Sequence, residues 1–66
     1  MNNEEQKARR KAKKHNLRLV AAGNRFGMFH CWEQFRMGQH GWVQAVVEHA
    51  DGTVMKYKTC DIVFID

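Results

Sequence analysis

The residues best equipped for chemistry crowd into thirteen positions, His30 to Trp42, which read HCWEQFRMGQHGW. They hold both tryptophans, two of the four histidines and one of the two cysteines. A metal centre is the first chemistry to weigh. Zinc sites draw ligands in pairs such as C-x₂-C or H-x₃₋₅-H, so that one turn supplies two donors. Here His30 and Cys31 are adjacent, which in a strand sends them to opposite faces, and His40, His49 and Cys60 stand singly. The pattern favours two buried apolar thiols and partly exposed histidines, with no metal and no cofactor.

Nucleophilic catalysis is no better supported. Cys31 beside His30, or Cys60 with His49 and Asp61, would place a thiol near a base. Nothing in the sequence sets up a reactive thiolate, and no glycine-rich phosphate loop is present. Glu33, Glu48, Asp51, Asp61 and Asp66 show no pairing suited to acid–base work. The expectation is a protein that is not an enzyme. Two cysteines are also too few for a disulfide-stapled secreted scaffold. No apolar run follows the charged start, so neither a signal peptide nor a membrane span is expected. These features predict a cytoplasmic chain with reduced thiols.

The cations give the stronger signal. Residues 1–18 carry seven of them (Lys7, Arg9, Arg10, Lys11, Lys13, Lys14 and Arg18) against Glu4 and Glu5. Residues 19–66 carry Arg25, Arg36, Lys56 and Lys58 against five acids, so the net charge of +4 belongs to the N-terminal segment. Such density is an electrostatic footprint for phosphate backbones, with salt-sensitive and largely sequence-independent binding. On a helix Lys7, Arg10, Lys11 and Lys14 fall along one side, with Arg9 and Lys13 beside them. Phe35, Arg36, His40 and Trp42 surround a glycine-containing stretch and could stack bases beside cations. Lys56 and Lys58 extend that platform.

These groups need elements to carry them. NEEQKARRKAKKHN contains good helix formers, a capping Asn3, acids in its first turn and cations in its last. Glu5 and Arg9 are spaced for an ion pair. Ala8 and Ala12 are its only apolar residues, which leaves no stripe for docking and predicts a segment that orders on a polyanion. Beyond Asn16 the pattern turns to strands. Gly23-Asn24 marks a tight hairpin that sets Ala21 against Phe26 and Leu19 against Met28. Leu17, Leu19, Ala21, Phe26, Met28 and Trp32 would then share a face. In WVQAVVEHADGTVMKYK, a three-residue Ala50-Asp51-Gly52 loop pairs Val47 with Met55 and Ala45 with Tyr57. That register buries one clean face, whereas a two-residue loop mixes both. RMGQHG reads as a loop between the hairpins, and CDIVFID as a last strand after a Thr59–Asp61 connection.

The order W-V-x-A-x-V, then DGT, then Y-x-x-x-DIVFID resembles the strand pattern of SH3-like and Tudor-like barrels, and implies a small barrel. Residues 1–16 are expected to form a basic helix or disordered arm and residues 17–66 a compact antiparallel β domain. The expected fold is mainly β: a small SH3-like barrel or bent meander of about five strands behind that arm. The alternative is α+β, with the helix packed on a three- or four-stranded sheet.

Function follows from charge. The reading is a small nucleic-acid-binding accessory or regulatory protein, of a kind that fits a bacterial or phage setting. Its arm would grip RNA or DNA phosphates while the β domain docks on the nucleic acid or a nucleoprotein complex. The alternative is a protein-interaction module or inhibitor, meeting an acidic partner through a sheet edge or the Phe35–Trp42 surface. No membrane partner is expected, because no large apolar residue accompanies the cations.

Overall fold

A computed structural model describes residues 3–65. Helix α1 (Asn3–His15) is followed by strands β1 (Arg18–Ala22), β2 (Arg25–Met37), β3 (His40–His49) and β4 (Val54–Lys58). A 3₁₀ turn, Thr59–Asp61, then leads into β5 (Ile62–Phe64). The strands form one antiparallel sheet in the order β4-β3-β2-β1-β5, because β5 returns to pair with β1 rather than β4. The sheet therefore stays open with β4 and β5 as its edges. Of the expected forms, the fold is an open antiparallel sheet with a helix docked on it, not a closed barrel.

Local chemistry sets the turns. Gly23 takes φ +61°, and Ala21 faces Phe26 while Leu19 faces Met28, as the sequence predicts. The second turn follows the three-residue register: the His49 amide donates to the Thr53 carbonyl at 2.8 Å, Val47 pairs with Met55, and Ala45 with Tyr57. Gly52 supplies φ +91° there. RMGQHG is no loop. β2 runs through Met37 and β3 starts at His40, joined by Gly38-Gln39 with Gly38 at φ +62°. One glycine with a left-handed backbone suffices to close a tight hairpin, so strand pairing extends where a loop was expected.

The helix also corrects an expectation. Ala8 and Ala12 are fully buried and pack on Leu19 and Met28, with Leu17 and Phe26 alongside. Two alanines one turn apart form a docking face because their small size brings the helix backbone onto the sheet, which supplies the large side chains. The helix then stops sharply. Asn16 adopts φ +58°, the Leu17 amide donates to the Ala12 carbonyl at 2.7 Å, and Asn16 donates to Lys13 at 3.3 Å. This is a Schellman termination, closed by the apolar contact of Leu17 within the same cluster.

A second core lies on the opposite face: Val20, Ala22, Ala45, Val47 and Ile62, with Phe29, Tyr57 and Phe64 packed against it. Gly27 makes it possible. A Cβ there would lie 2.6 Å from Val47 Cγ1 and 2.8 Å from the Glu48 carbonyl oxygen. With no side chain on the intervening strand, β1 and β3 meet across β2. His49, fully buried, sits opposite Gly27. Its Nδ1–H donates to the Phe26 carbonyl at 2.8 Å, and its Nε2 accepts from the Tyr57 hydroxyl at 2.6 Å. The carbonyl can only accept, which fixes this tautomer for the neutral ring.

Between Phe29 and Cys31 the β2–β3 register shifts by one residue. This bulge at His30 reverses the side-chain alternation beyond it. Trp32 consequently leaves the helix-covered face assigned to it by simple alternation. It joins Phe29 and Phe64 on the other side, with ring centroids 4.9 and 6.3 Å away. It is also 48% exposed rather than core.

Candidate nucleic-acid interface

The docked helix sorts its cations by direction. Because Ala8 and Ala12 face the sheet, Arg10, Lys13, Lys14 and Lys7 project from the far side of α1, where all four are exposed. None of them has an ion-pair partner among the described residues. Arg9 holds Glu5 at 3.3 Å, as the spacing predicts. Lys11 has a different task. It is partly buried and donates from Nζ to the Ala50 carbonyl at 2.6 Å, tying the helix to the β3–β4 turn. At the other end of α1, Glu4 Oε1 accepts from Arg25 Nε and from the Phe26 amide, both at 3.1 Å. The helix is thus pinned at both ends, and its outer cations share a rigid base. Arg18 stands apart from them, its guanidinium 4.1 Å from the Phe64 ring centroid.

Register and alternation place a second group on the same sheet face as the helix. Met28, under α1, lies opposite Glu48; beyond the bulge Cys31 pairs with Val46, Glu33 with Gln44, and Phe35 with Trp42. Lys56 pairs with Val46 and Lys58 with Gln44. Directly opposed residues share a face. Lys56, Lys58, Phe35 and Trp42 therefore line the open remainder of the helix-bearing face. Phe35 and Trp42 stack with centroids 5.8 Å apart and planes 15° off parallel. Lys56 Nζ lies 4.8 Å from the Phe35 centroid and 2.9 Å from Glu33 Oε1. Arg36 and His40 are exposed at the hairpin end, and Lys58 is exposed on β4. The acids of this face are occupied: Glu33 by Lys56, and Glu48 by His30 Nε2 at 2.9 Å.

The sequence-derived residues thus separate into two groups on one face. The helix carries Lys7, Arg10, Lys13 and Lys14; the hairpin carries Phe35, Trp42, Lys56 and Lys58, with His40 at its tip, while Arg36, which pairs with Gly41, alternates to the opposite face. Arg9, Lys11 and Arg18 lie elsewhere or are engaged. Sequence reasoning missed the anchoring roles of Lys11 and Glu4. It also missed the burial of His49, whose only signal was its place on the apolar side of the β3–β4 register.

Cys31 and Cys60 are free and exposed, which corrects the expectation of buried thiols. The His30 bulge sets Cys31 on the uncovered part of the helix-bearing face, and Cys60 lies in the 3₁₀ turn. Among the described residues no three His, Cys, Asp or Glu side chains converge as a metal site. Among the described residues no helix is long and apolar enough to cross a membrane. One acid is perturbed: Asp51 is lowered to about 2. The Thr53 amide donates to its Oδ1 at 2.9 Å, and Arg25 approaches its Oδ2 at 3.4 Å. Comparison with protein-family models, curated proteins and solved structures finds no match to this chain.

Proposed function

We propose that this chain is a small nucleic-acid-binding protein, an accessory or regulatory factor rather than an enzyme. The outer face of α1 contacts phosphates, and the open part of the same sheet face docks on the nucleic acid or its nucleoprotein complex. The observation that carries this reading is the docking of α1 through Ala8 and Ala12. It turns Lys7, Arg10, Lys13 and Lys14 outward as one row with no described acid to neutralise them. A row held on a folded domain neutralises successive phosphates without first paying for helix formation. Two unbridged, exposed cysteines support a reducing compartment such as the cytoplasm.

The test is fluorescence-anisotropy titration of a labelled polynucleotide across a salt series. Intact protein is expected to bind at low salt and weaken steeply as salt rises. Changing Arg10, Lys13 and Lys14 together to alanine is expected to flatten the log–log salt slope by about 3, roughly one per cation removed. An unchanged slope, or no binding by the intact chain, refutes the proposal.

A second reading has its own observation. Both sheet edges expose apolar side chains, Val54 and Met55 on β4 and Val63 on β5, the last 64% exposed. Neither edge strand contains proline or a bulge, although Lys56 and Lys58 on β4 and the three-residue length of β5 oppose strand addition. An extended segment of a partner protein could pair there. Retained partner binding after the triple alanine change would favour this module over the nucleic-acid reading.

A further inference from the structure

The Phe35–Trp42 pair differs from the other ring pairs of the fold. Phe29–Trp32, Phe29–Phe64, Trp32–Phe64 and His49–Tyr57 meet at 59° to 87°, in tilted and edge-on geometries. Phe35 and Trp42 lie 15° from parallel and belong to neither buried cluster. They face each other directly across β2 and β3, so the backbone ladder holds their planes in register. Trp42 keeps 44% of its surface in solvent.

The charge around the stack points to the class of ligand. Lys56 sits over the Phe35 ring while neutralising Glu33, and Lys58 is exposed on the same face. An exposed flat ring flanked by cations complements a ligand that is both aromatic and anionic. Unpaired nucleotides are such a ligand, whereas a duplex keeps its base faces buried in its own stack. The helix that carries the outer cations packs on the same sheet face.

We propose that the Phe35–Trp42 stack is a platform for an unpaired base, which makes the ligand of this chain single-stranded nucleic acid. This rests on the phosphate-binding reading of α1 and adds the substrate class to it. Base stacking on a protein ring tolerates any base, because each offers a π face. The site therefore selects for strandedness and not for sequence.

The experiment uses the full chain, labelled oligothymidylate and oligouridylate single strands, and a duplex of equal length. Trp42→Ala, Trp42→Phe and Trp32→Phe are compared with the parent by anisotropy across a salt series, with circular dichroism checking the fold. The parent is expected to bind single strands more tightly than duplex. Trp42→Ala should lose about tenfold in single-strand affinity, the effect of one stacked base, with an unchanged salt slope. Trp42→Phe should retain most of the affinity. In the Trp32→Phe background Trp42 is the sole tryptophan, and its emission should be quenched by single strands. The ratio of the two single-strand affinities identifies RNA or DNA as the source of the base.

Two results overturn the inference in distinguishable ways. Equal binding of single strand and duplex, with Trp42→Ala neutral and a steep salt slope, leaves the phosphate reading standing and removes the stacking site. Absence of polynucleotide binding at low salt removes both, and capture of an extended peptide by the hairpin would then assign the surface to a protein partner.

Discussion

Two aromatic groups in this molecule are built from the same residue types and do opposite things. Phe29 and Phe64 pack over Val20, Ala22, Ala45, Val47 and Ile62, with the half-exposed Trp32 interlocked against both at steep angles. Phe35 and Trp42 lie flat against each other on the other face, beyond the reach of α1, with no buried cluster beneath them. The first group is what a thin core needs in a chain this short. The second is apolar surface that the fold does not consume. In a domain with so few large residues, an aromatic pair left outside the core is a stronger functional marker than the same pair in a large protein.

The comparison can be broken by mutation. The largest effect should come from Phe29→Ala, which removes the centre of the interlocked group. It is expected to cost about 3 kcal/mol and to lower Tm by on the order of 15 °C for a domain of this size, read by thermal denaturation. Gly27→Ala tests whether the core beneath is as tight as the geometry requires. The added Cβ meets backbone at Glu48 as well as the Val47 side chain, so the sheet must shift, at roughly 2 kcal/mol in urea denaturation. His49→Leu should cost about as much, because it strands the Phe26 carbonyl and leaves the Tyr57 hydroxyl only Met55 Sδ at 3.6 Å, roughly 1–3 kcal/mol for such groups.

Trp42→Ala should cost about 1 kcal/mol, the value of one cross-strand aromatic pair. A loss as large as that of Phe29→Ala would make the flat pair part of the core and erase the distinction. The smallest effect concerns the turn that anchors the helix end. Asp51 is lowered to about 2 from an ordinary 3.8. Its folded form therefore resists protonation, and the stability it contributes is full above about pH 4 and lost as pH falls through about 2. Asp51→Asn should flatten the acid limb of the unfolding curve in that window and lower neutral stability modestly, since the carboxylate's contribution is full there. An unaltered acid limb would show that the Thr53 and Arg25 contacts do not hold the carboxylate in solution.

Much of the sheet was legible because its instructions are local. Gly23 and Gly52 carry the backbone freedom their turns need, and alternation in β3 and β4 admits one register that buries a clean face. The helix was legible as a helix, down to the Glu5–Arg9 pair, but not as a docked one. Two alanines look like the absence of a stripe when hydrophobicity is counted, and like a close-packing face once a sheet with Leu19 and Met28 is set against them. The candidate site was half readable. Its residue types and approximate cluster were visible, while the placement of Lys56 over Phe35 depended on two strands far apart in sequence.

What the sequence by itself determined is where charge and turns fall: a basic N-terminal segment, hairpins at fixed glycines, and a last strand after Asp61. Those properties reside in single residues and their immediate neighbours. Only the tertiary structure decided which face each ring occupies and which cations are left for a ligand. A one-residue bulge at His30 reverses every side chain beyond it. The docking of Ala8 and Ala12 selects which lysines and arginines of α1 point outward. Both decisions depend on pairing between distant segments, and no local pattern encodes them.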